Sequence, residues 1–165
     1  MRIEELMTKS PATCGPGDTL REAAQKMAGS DCGCLPVTAA DGSQRLVGMI
    51  TDRDICMAAQ LQGRSLEELR VRDAMAKEVR ACNPGDSLVE AQAIMQEARV
   101  RRLPVVDESE RLLGVISLAD LAREAERERG SISKAEIGKI LASLCEPREI
   151  EVETVAAETR VMVGP

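Results

Sequence analysis

Two segments of the chain carry a hydroxyl and a carboxylate at the same spacing: Gly48-Met49-Ile50-Thr51-Asp52-Arg53-Asp54 and Gly114-Val115-Ile116-Ser117-Leu118-Ala119-Asp120. In each, an apolar stretch delivers Thr51 or Ser117 to a helix start, and an acid, Asp54 or Asp120, follows three positions later. Two chemistries suit this arrangement. Ser/Thr-x-x-Asp is a capping box, in which hydroxyl and acid satisfy backbone N–H groups at the helix entrance. Alternatively, the ionised acid accepts hydrogen bonds from both hydroxyls of a ribose, while the hydroxyl and the helix N-terminus face a phosphate. The glycine three residues before each hydroxyl residue would let a ligand approach the backbone. The residues by themselves leave both readings open.

What is missing narrows the remaining chemistry. The 165 residues include no His, Phe, Tyr or Trp. A serine-type triad, a His-bearing zinc site and a haem His ligand are therefore excluded. No grouping joins a nucleophile, a base and an oxyanion stabiliser, so an enzyme is not expected and no cofactor is required. Without aromatic stacking platforms and with a net charge of -6, nucleic acid is not expected as a partner. No run approaches the roughly 18 apolar residues of a membrane span, and the start Met1-Arg2-Ile3-Glu4-Glu5 lacks the apolar stretch of a signal peptide. A cytoplasmic protein with no membrane partner is the expectation. In a reducing compartment, the six cysteines read as small apolar residues. The rival reading is a thiol redox or metal sensor, since Cys14 and Cys82 are equivalent in the repeat and Cys32-Gly33-Cys34 brings two thiols together. Cys-x-Cys is not, however, the Cys-x-x-Cys spacing of zinc knuckles or thioredoxin-like sites.

The elements that must position these residues come as a repeat. Pro16-Gly17-Asp18-Thr19-Leu20 matches Pro84-Gly85-Asp86-Ser87-Leu88, and Leu35-Pro36-Val37 matches Leu103-Pro104-Val105, both at an offset of 68 residues. After a shorter turn, Leu46-Val47-Gly48 matches Leu112-Leu113-Gly114 at an offset of 66. Two copies are too few for a solenoid, so two units packed about an approximate two-fold axis are expected. Thr19 with Glu22 and Ser87 with Glu90 are capping boxes, each opening a helix with apolar residues at helical spacing. Strands are predicted over 34–39, 45–51, 103–106 and 111–117, with short strands near 12–14 and 79–82 completing a small sheet. Closing helices start at Asp52 and Leu118, and the connector holds a helical turn near 65–69.

This reading divides the chain into a first unit over 1–62, a connector over 63–72, a second unit over 73–127 and a C-terminal region over 128–165. In the last, Ser133 and Glu136 form another capping box, with Ile132 and Ile137 as a hydrophobic staple. Ile137, Ile140, Leu141 and Leu144 make one apolar stripe, for docking on its own domain or across a subunit interface. The tail from Glu149 reads as an edge strand or as disordered chain.

The order Pro-Gly-Asp-Ser/Thr-Leu, Leu-Pro-Val and Gly-x-x-Thr/Ser-x-x-Asp, present twice, resembles a tandem pair of CBS (cystathionine β-synthase) domains over about residues 4 to 125. The resemblance implies an α/β fold of two β-α-β-β-α units with two clefts between them, and a pair that dimerises into a flat disc. It also implies a regulatory sensor, binding an adenosine compound such as AMP, ADP, ATP, S-adenosylmethionine or NAD. Carried over by position, Asp54 and Asp120 match ribose-binding carboxylates, and Thr51 and Ser117 the hydroxyls near ribose or phosphate. Thr13 and Ala81, with the backbone at Leu35, Pro36, Leu103 and Pro104, fall where the base is surrounded. Ile50, Ile116, Met49 and Val37 could sandwich adenine in place of aromatics.

The basic residues are not symmetric. Arg101 and Arg102 replace Gly33 and Cys34 of the first unit, while Arg53 corresponds to Ala119. Guanidinium groups suit bidentate phosphate contacts, so Arg53, Arg101 or Arg102 is expected to read a phosphate and one cleft to bind better. The competing reading pairs Arg53 with Asp52 and Asp54 and leaves the Arg99–Arg102 run as a solvated edge. The expected function is ligand sensing that signals by conformational change to an unidentified regulated protein. The alternative is a ligand-free structural, dimerisation or interaction module.

Overall fold

The computed structural model describes residues 1–127 and 130–146. After a 3-10 turn at Ile3–Glu5, the elements are β1 (Thr8–Lys9), α1 (Leu20–Gly29), β2 (Cys34–Thr38), β3 (Leu46–Thr51), α2 (Asp52–Gln62) and α3 (Val71–Ala74). The second half repeats the plan with α4 (Leu88–Ala98), β4 (Arg102–Val106), β5 (Leu112–Ser117) and α5 (Leu118–Ala125), followed by α6 (Lys134–Cys145). All five expected capping boxes form, at Thr19, Thr51, Ser87, Ser117 and Ser133. Each supplies partners for N–H groups that the first helical turn leaves without one.

Each unit is an antiparallel hairpin, β2 with β3 and β4 with β5, backed by helices that bury one face. Leu20, Ala23, Leu35, Val37 and Ile50 fill one core, and Leu88, Ala91, Leu103, Val105 and Ile116 the other. The short strands expected near 12–14 and 79–82 shrink to single parallel bridges, Cys14 to Val37 and Cys82 to Val105. Proline explains much of this. Pro11 lacks an N–H and Pro36 and Pro104 occupy the facing strands, so a longer ladder would lose donors.

The units exchange their leading segments. Ile3 packs in the core of the second unit, while Leu69 and Val71 pack in the core of the first. β1 pairs with β5, Thr8 facing Val115, and in the equivalent crossing Ala76 pairs with Met49. The N-terminal segment thus packs in the core of the second unit, and the end of the connector in that of the first. The hairpin tips also join, Leu46 N–H donating to the Glu110 carbonyl and Leu112 N–H to that of Gln44, both at 3.0 Å.

Helix α6 docks on α4 and α5, its own domain, as one of the two sequence readings anticipates. Ile132 and Ile140 are buried there, but Leu141, assigned to the same stripe, is 46% exposed. The turn into α6 is tied by Glu124, which is 2% exposed. Its carboxylate accepts from the Ser131 N–H at 3.3 Å and lies 2.9 Å from Arg127 Nη1. The tail from Glu149 lies outside the described residues.

Candidate functional site

Strand β3 ends on Thr51 and α2 begins at Asp52, so the chain turns where the hydroxyl and the acid meet. Asp54 Oδ2 accepts from the Thr51 N–H at 2.8 Å and from the Thr51 hydroxyl at 2.7 Å, and the Asp54 N–H donates to Thr51 Oγ1 at 3.2 Å. The second copy repeats this, Asp120 Oδ2 accepting from the Ser117 N–H at 2.8 Å and its hydroxyl at 2.6 Å. Capping therefore consumes one oxygen of each acid. Ligand chemistry falls to the other oxygen, and there the copies differ.

Asp54 is half-buried and, among the described residues, nothing bonds its Oδ1. Asp120 is 6% exposed, and its Oδ1 is held by the guanidinium of Arg123, one turn further along α5. The first-unit counterpart of Arg123 is Met57, which cannot do this. Sequence reasoning missed this pair. Its signal was available as a charge at the i+3 position, where helix side chains meet.

At the start of β3, the two units contribute jointly to a cleft that neither Thr51 nor Asp54 lines. A cleft of about 170 Å³ lies where β3 crosses the segment leading into the second unit, lined by Gly48, Lys77, Val79, Ala81, Val106 and Glu110 among others. Ala81 thus faces the strand that carries Thr51. By the internal symmetry, Thr13 belongs to the crossing with β5, the strand that carries Ser117. Cys14 N–H donates to the Pro36 carbonyl at 3.2 Å and Cys82 N–H to that of Pro104 at 3.1 Å, holding Thr13 and Ala81 against the strand segments Leu35-Pro36 and Leu103-Pro104.

The cations also distribute unevenly. Arg53 forms no ion pair among the described residues; its backbone N–H donates to Asp52 Oδ1 at 2.8 Å, so the pairing with the Asp52 and Asp54 side chains, the competing reading, does not form. Arg101 is exposed and free in the same sense. Arg102 faces Ser117 in the β4–β5 ladder, and its guanidinium acts on the thiol of Cys34, which itself faces Thr51. Arg99 points away to Glu146.

Two expectations need correction. Ile50 and Ile116 are 0% exposed and belong to the cores, as does Val37, so their side chains support the cleft instead of lining it. Strand alternation accounts for this: Met49 shares the outward face of β3 with Thr51, while Ile50 points inward. Nor does ligand approach account for the glycines. An added Cβ at Gly48 would stand 2.9 Å from the Ala76 carbonyl oxygen, and at Gly114 2.8 Å from that of Thr8. Chain crossing, not a ligand, demands glycine there.

Cys14, Cys34 and Cys82 are buried and pack as small apolar groups. Burial, reinforced by the Asp18 carboxylate and opposed by Lys26, pushes the Cys14 thiol up to about 11; burial and the Asp86 carboxylate push Cys82 up to about 12. Burial raises Cys34 as well, against the pull of Arg102. Among the described residues no cluster of three His, Cys, Asp or Glu side chains could hold a metal ion. Cys56 and Cys145 are exposed. Iodoacetamide at pH 8 should therefore alkylate Cys145 and spare Cys14 and Cys82 until denaturant is added. Because the folded thiols titrate above the ordinary 9.0, their stabilising contribution is complete below that pH and is lost as the pH rises through about 11 and about 12. Urea midpoints should fall from pH 9 upward, less steeply in a Cys14→Ala, Cys82→Ala protein; equal slopes would refute the assignment.

A family model described as CBS domain matches residues 3–60 and 71–127. The CBS domain-containing protein YhcV of Bacillus subtilis is 38% identical over 120 residues, covering 73% of this chain and 82% of the relative. The inosine-5′-monophosphate dehydrogenase of Methanocaldococcus jannaschii is 31% identical over 163 residues, but the chain spans only 30% of that enzyme while 97% of the chain is covered. Among solved structures, the CBS domain pair of protein MJ0100, in complex with 5′-methylthioadenosine and S-adenosyl-L-methionine, matches with a TM-score of 0.66 at 24% identity, over 74% of this chain and 94% of that one. No helix among the described residues is long and apolar enough to cross a membrane.

Proposed function

Because the chain belongs to the CBS domain family, with one copy over residues 3–60 and another over 71–127, we propose that it is a cytoplasmic, non-catalytic regulatory module that senses an adenosine compound. AMP, ADP, ATP, S-adenosylmethionine and NAD share the adenosine part that the site would grip. One observation carries the reading: Asp54 is fixed through one oxygen by its own helix cap and keeps the other open, next in sequence to Arg53, which pairs with no carboxylate among the described residues. The open oxygen accepts from the ribose diol, the backbone at Leu103 and Pro104 borders the base together with Ala81, and Arg53, Arg101 or Arg102 takes a phosphate. A cleft of about 170 Å³ at the start of β3 is smaller than the roughly 300–1,000 Å³ of pockets that enclose whole ligands, and neither Thr51 nor Asp54 lines it, so in this proposal the base sits at its Ala81 side and the sugar and phosphate lie outside it, toward Thr51. The adenosine ligands of the MJ0100 pair support this choice of ligand class.

Ligand that touches β3 of one unit and residues 79–81 of the other favours one relative orientation of the two. The shift is limited by the ligand's differential affinity for the arrangements, and a regulated protein would read the outcome.

The active form in this reading is a homodimer. In the second unit α6 covers α4 and α5, whereas the corresponding face of α1 and α2 carries an uncovered, mostly apolar groove of about 560 Å³, where Asp52 and Gln60 join Met27, Ile55, Cys56 and Leu66 among the lining residues. Met57 and Leu61 extend that exposed apolar surface, and a second copy of the chain would cover it. One experiment addresses both parts: native mass spectrometry of the purified protein with each adenosine compound in turn. Two chains of 17.8 kDa each, carrying adenosine adducts, are expected. No adduct with any of the compounds would leave the ligand-free interaction module as the better account, and a monomer would refute the dimer.

A further inference from the structure

The two acids of the repeat are not equally available. Asp120 has both oxygens engaged, Oδ2 by Ser117 and Oδ1 by Arg123, and is buried; Asp54 has one oxygen open and is only half-buried. The position of Arg123 in the first unit holds Met57, so the lock exists in one copy only. The residue before the acid follows the same division, Arg53 beside Asp54 but Ala119 beside Asp120. We propose that Arg123 occupies the ribose position at Asp120, so that each chain takes up nucleotide at Asp54 and holds the Asp120 site closed to sugar.

The chemistry is direct competition. A ribose diol donates two hydrogen bonds to a carboxylate, and the capped oxygen of Asp120 already accepts two. A ligand must therefore displace the guanidinium from Oδ1, which is charge-assisted and stronger than a bond from a neutral hydroxyl. Arg123 is itself mostly exposed, with 73% of its side chain accessible, so the lock is a moderate one. Its removal is worth about two- to fivefold in affinity. The inference rests on the ribose reading of the preceding section and refines it by fixing which cleft is filled.

Isothermal calorimetry with AMP on the wild-type protein, Arg123→Met and the double variant Arg123→Met, Asp120→Ala tests it. Wild type should show one tight site per chain. Arg123→Met, which installs the residue of the first unit, should gain a second site about two- to fivefold tighter than any weak second event in wild type. The double variant should lose that gain while keeping the first site. Two equal sites in wild type, or a second site unchanged by Arg123→Met, would overturn the proposal. Weaker second-site binding in Arg123→Met would also overturn it, because Arg123 would then serve the ligand. Absence of AMP heat in all three proteins would instead strike the ribose reading, and this inference with it.

Discussion

Replacing Asp54 by alanine should weaken binding of AMP about 100-fold or more while leaving the protein folded. The open oxygen would lose two hydrogen bonds from the ribose diol, and bonds to a charged acceptor contribute about 1.5–3 kcal/mol each. The same substitution removes the reciprocal half of the Thr51 cap, at about 1 kcal/mol of stability. Asp54→Asn separates these effects. It retains a side-chain acceptor for the Thr51 N–H, so its stability should recover, while its neutral amide remains a poor partner for two donated hydroxyls. Calorimetry and thermal melts on both variants check the expectation. Affinity that tracks stability in the two proteins would mean that the acid only caps its helix.

The second large effect is structural. Gly48→Ala would place a methyl group 2.8 Å from Met75 Sδ and 2.9 Å from the Ala76 carbonyl oxygen. The methionine can move, but the carbonyl cannot move freely, because it accepts from the Met49 N–H at 3.0 Å and holds the connector on β3. Relief of the overlap must open the crossing that joins the units, at about 3 kcal/mol, the upper part of the range for overpacking. For a chain of this length that is a fall of roughly 6–12 °C in melting temperature. Gly114→Ala should behave alike, since the Thr8 carbonyl stands 2.8 Å from its added Cβ. Gly138→Ala is the contrast: it lies on the exposed face of α6 with nothing within 4 Å, and should stabilise by about 1 kcal/mol. Differential scanning calorimetry of the three variants reads the difference, and a Gly48→Ala protein as stable as wild type would refute the close crossing.

Features governed by neighbours along the chain were legible in the sequence. The capping boxes at Thr51 and Ser117 depend on residues three apart, and hairpin pairs such as Leu35 with Ile50 on local alternation, so pattern and structure agree. Non-local pairing was harder to read. β1 exists because Thr8 meets Val115, more than a hundred residues away, and nothing near Thr8 announces a strand. A trace was present, since Met7 and Lys9 recur as Met75 and Lys77 at the offset of the repeat, marking both crossings. The role given to Ile50 failed because adjacent strand residues face opposite sides, and a core beneath the sheet claims the isoleucine while Met49 stays on the side of Thr51. Arg123 escaped notice because the repeat motif ends at Asp120, and its side chain turns back only once α5 is formed.

The reading that a nucleoside binds through Asp54 is tested most directly by diffraction from crystals grown with AMP. The account predicts purine density beside Ala81 and both ribose hydroxyls within hydrogen-bond distance of Asp54 Oδ1, with Asp120 still held by Arg123. Density for AMP elsewhere, or a cleft at Asp54 containing only solvent at saturating AMP, would contradict it.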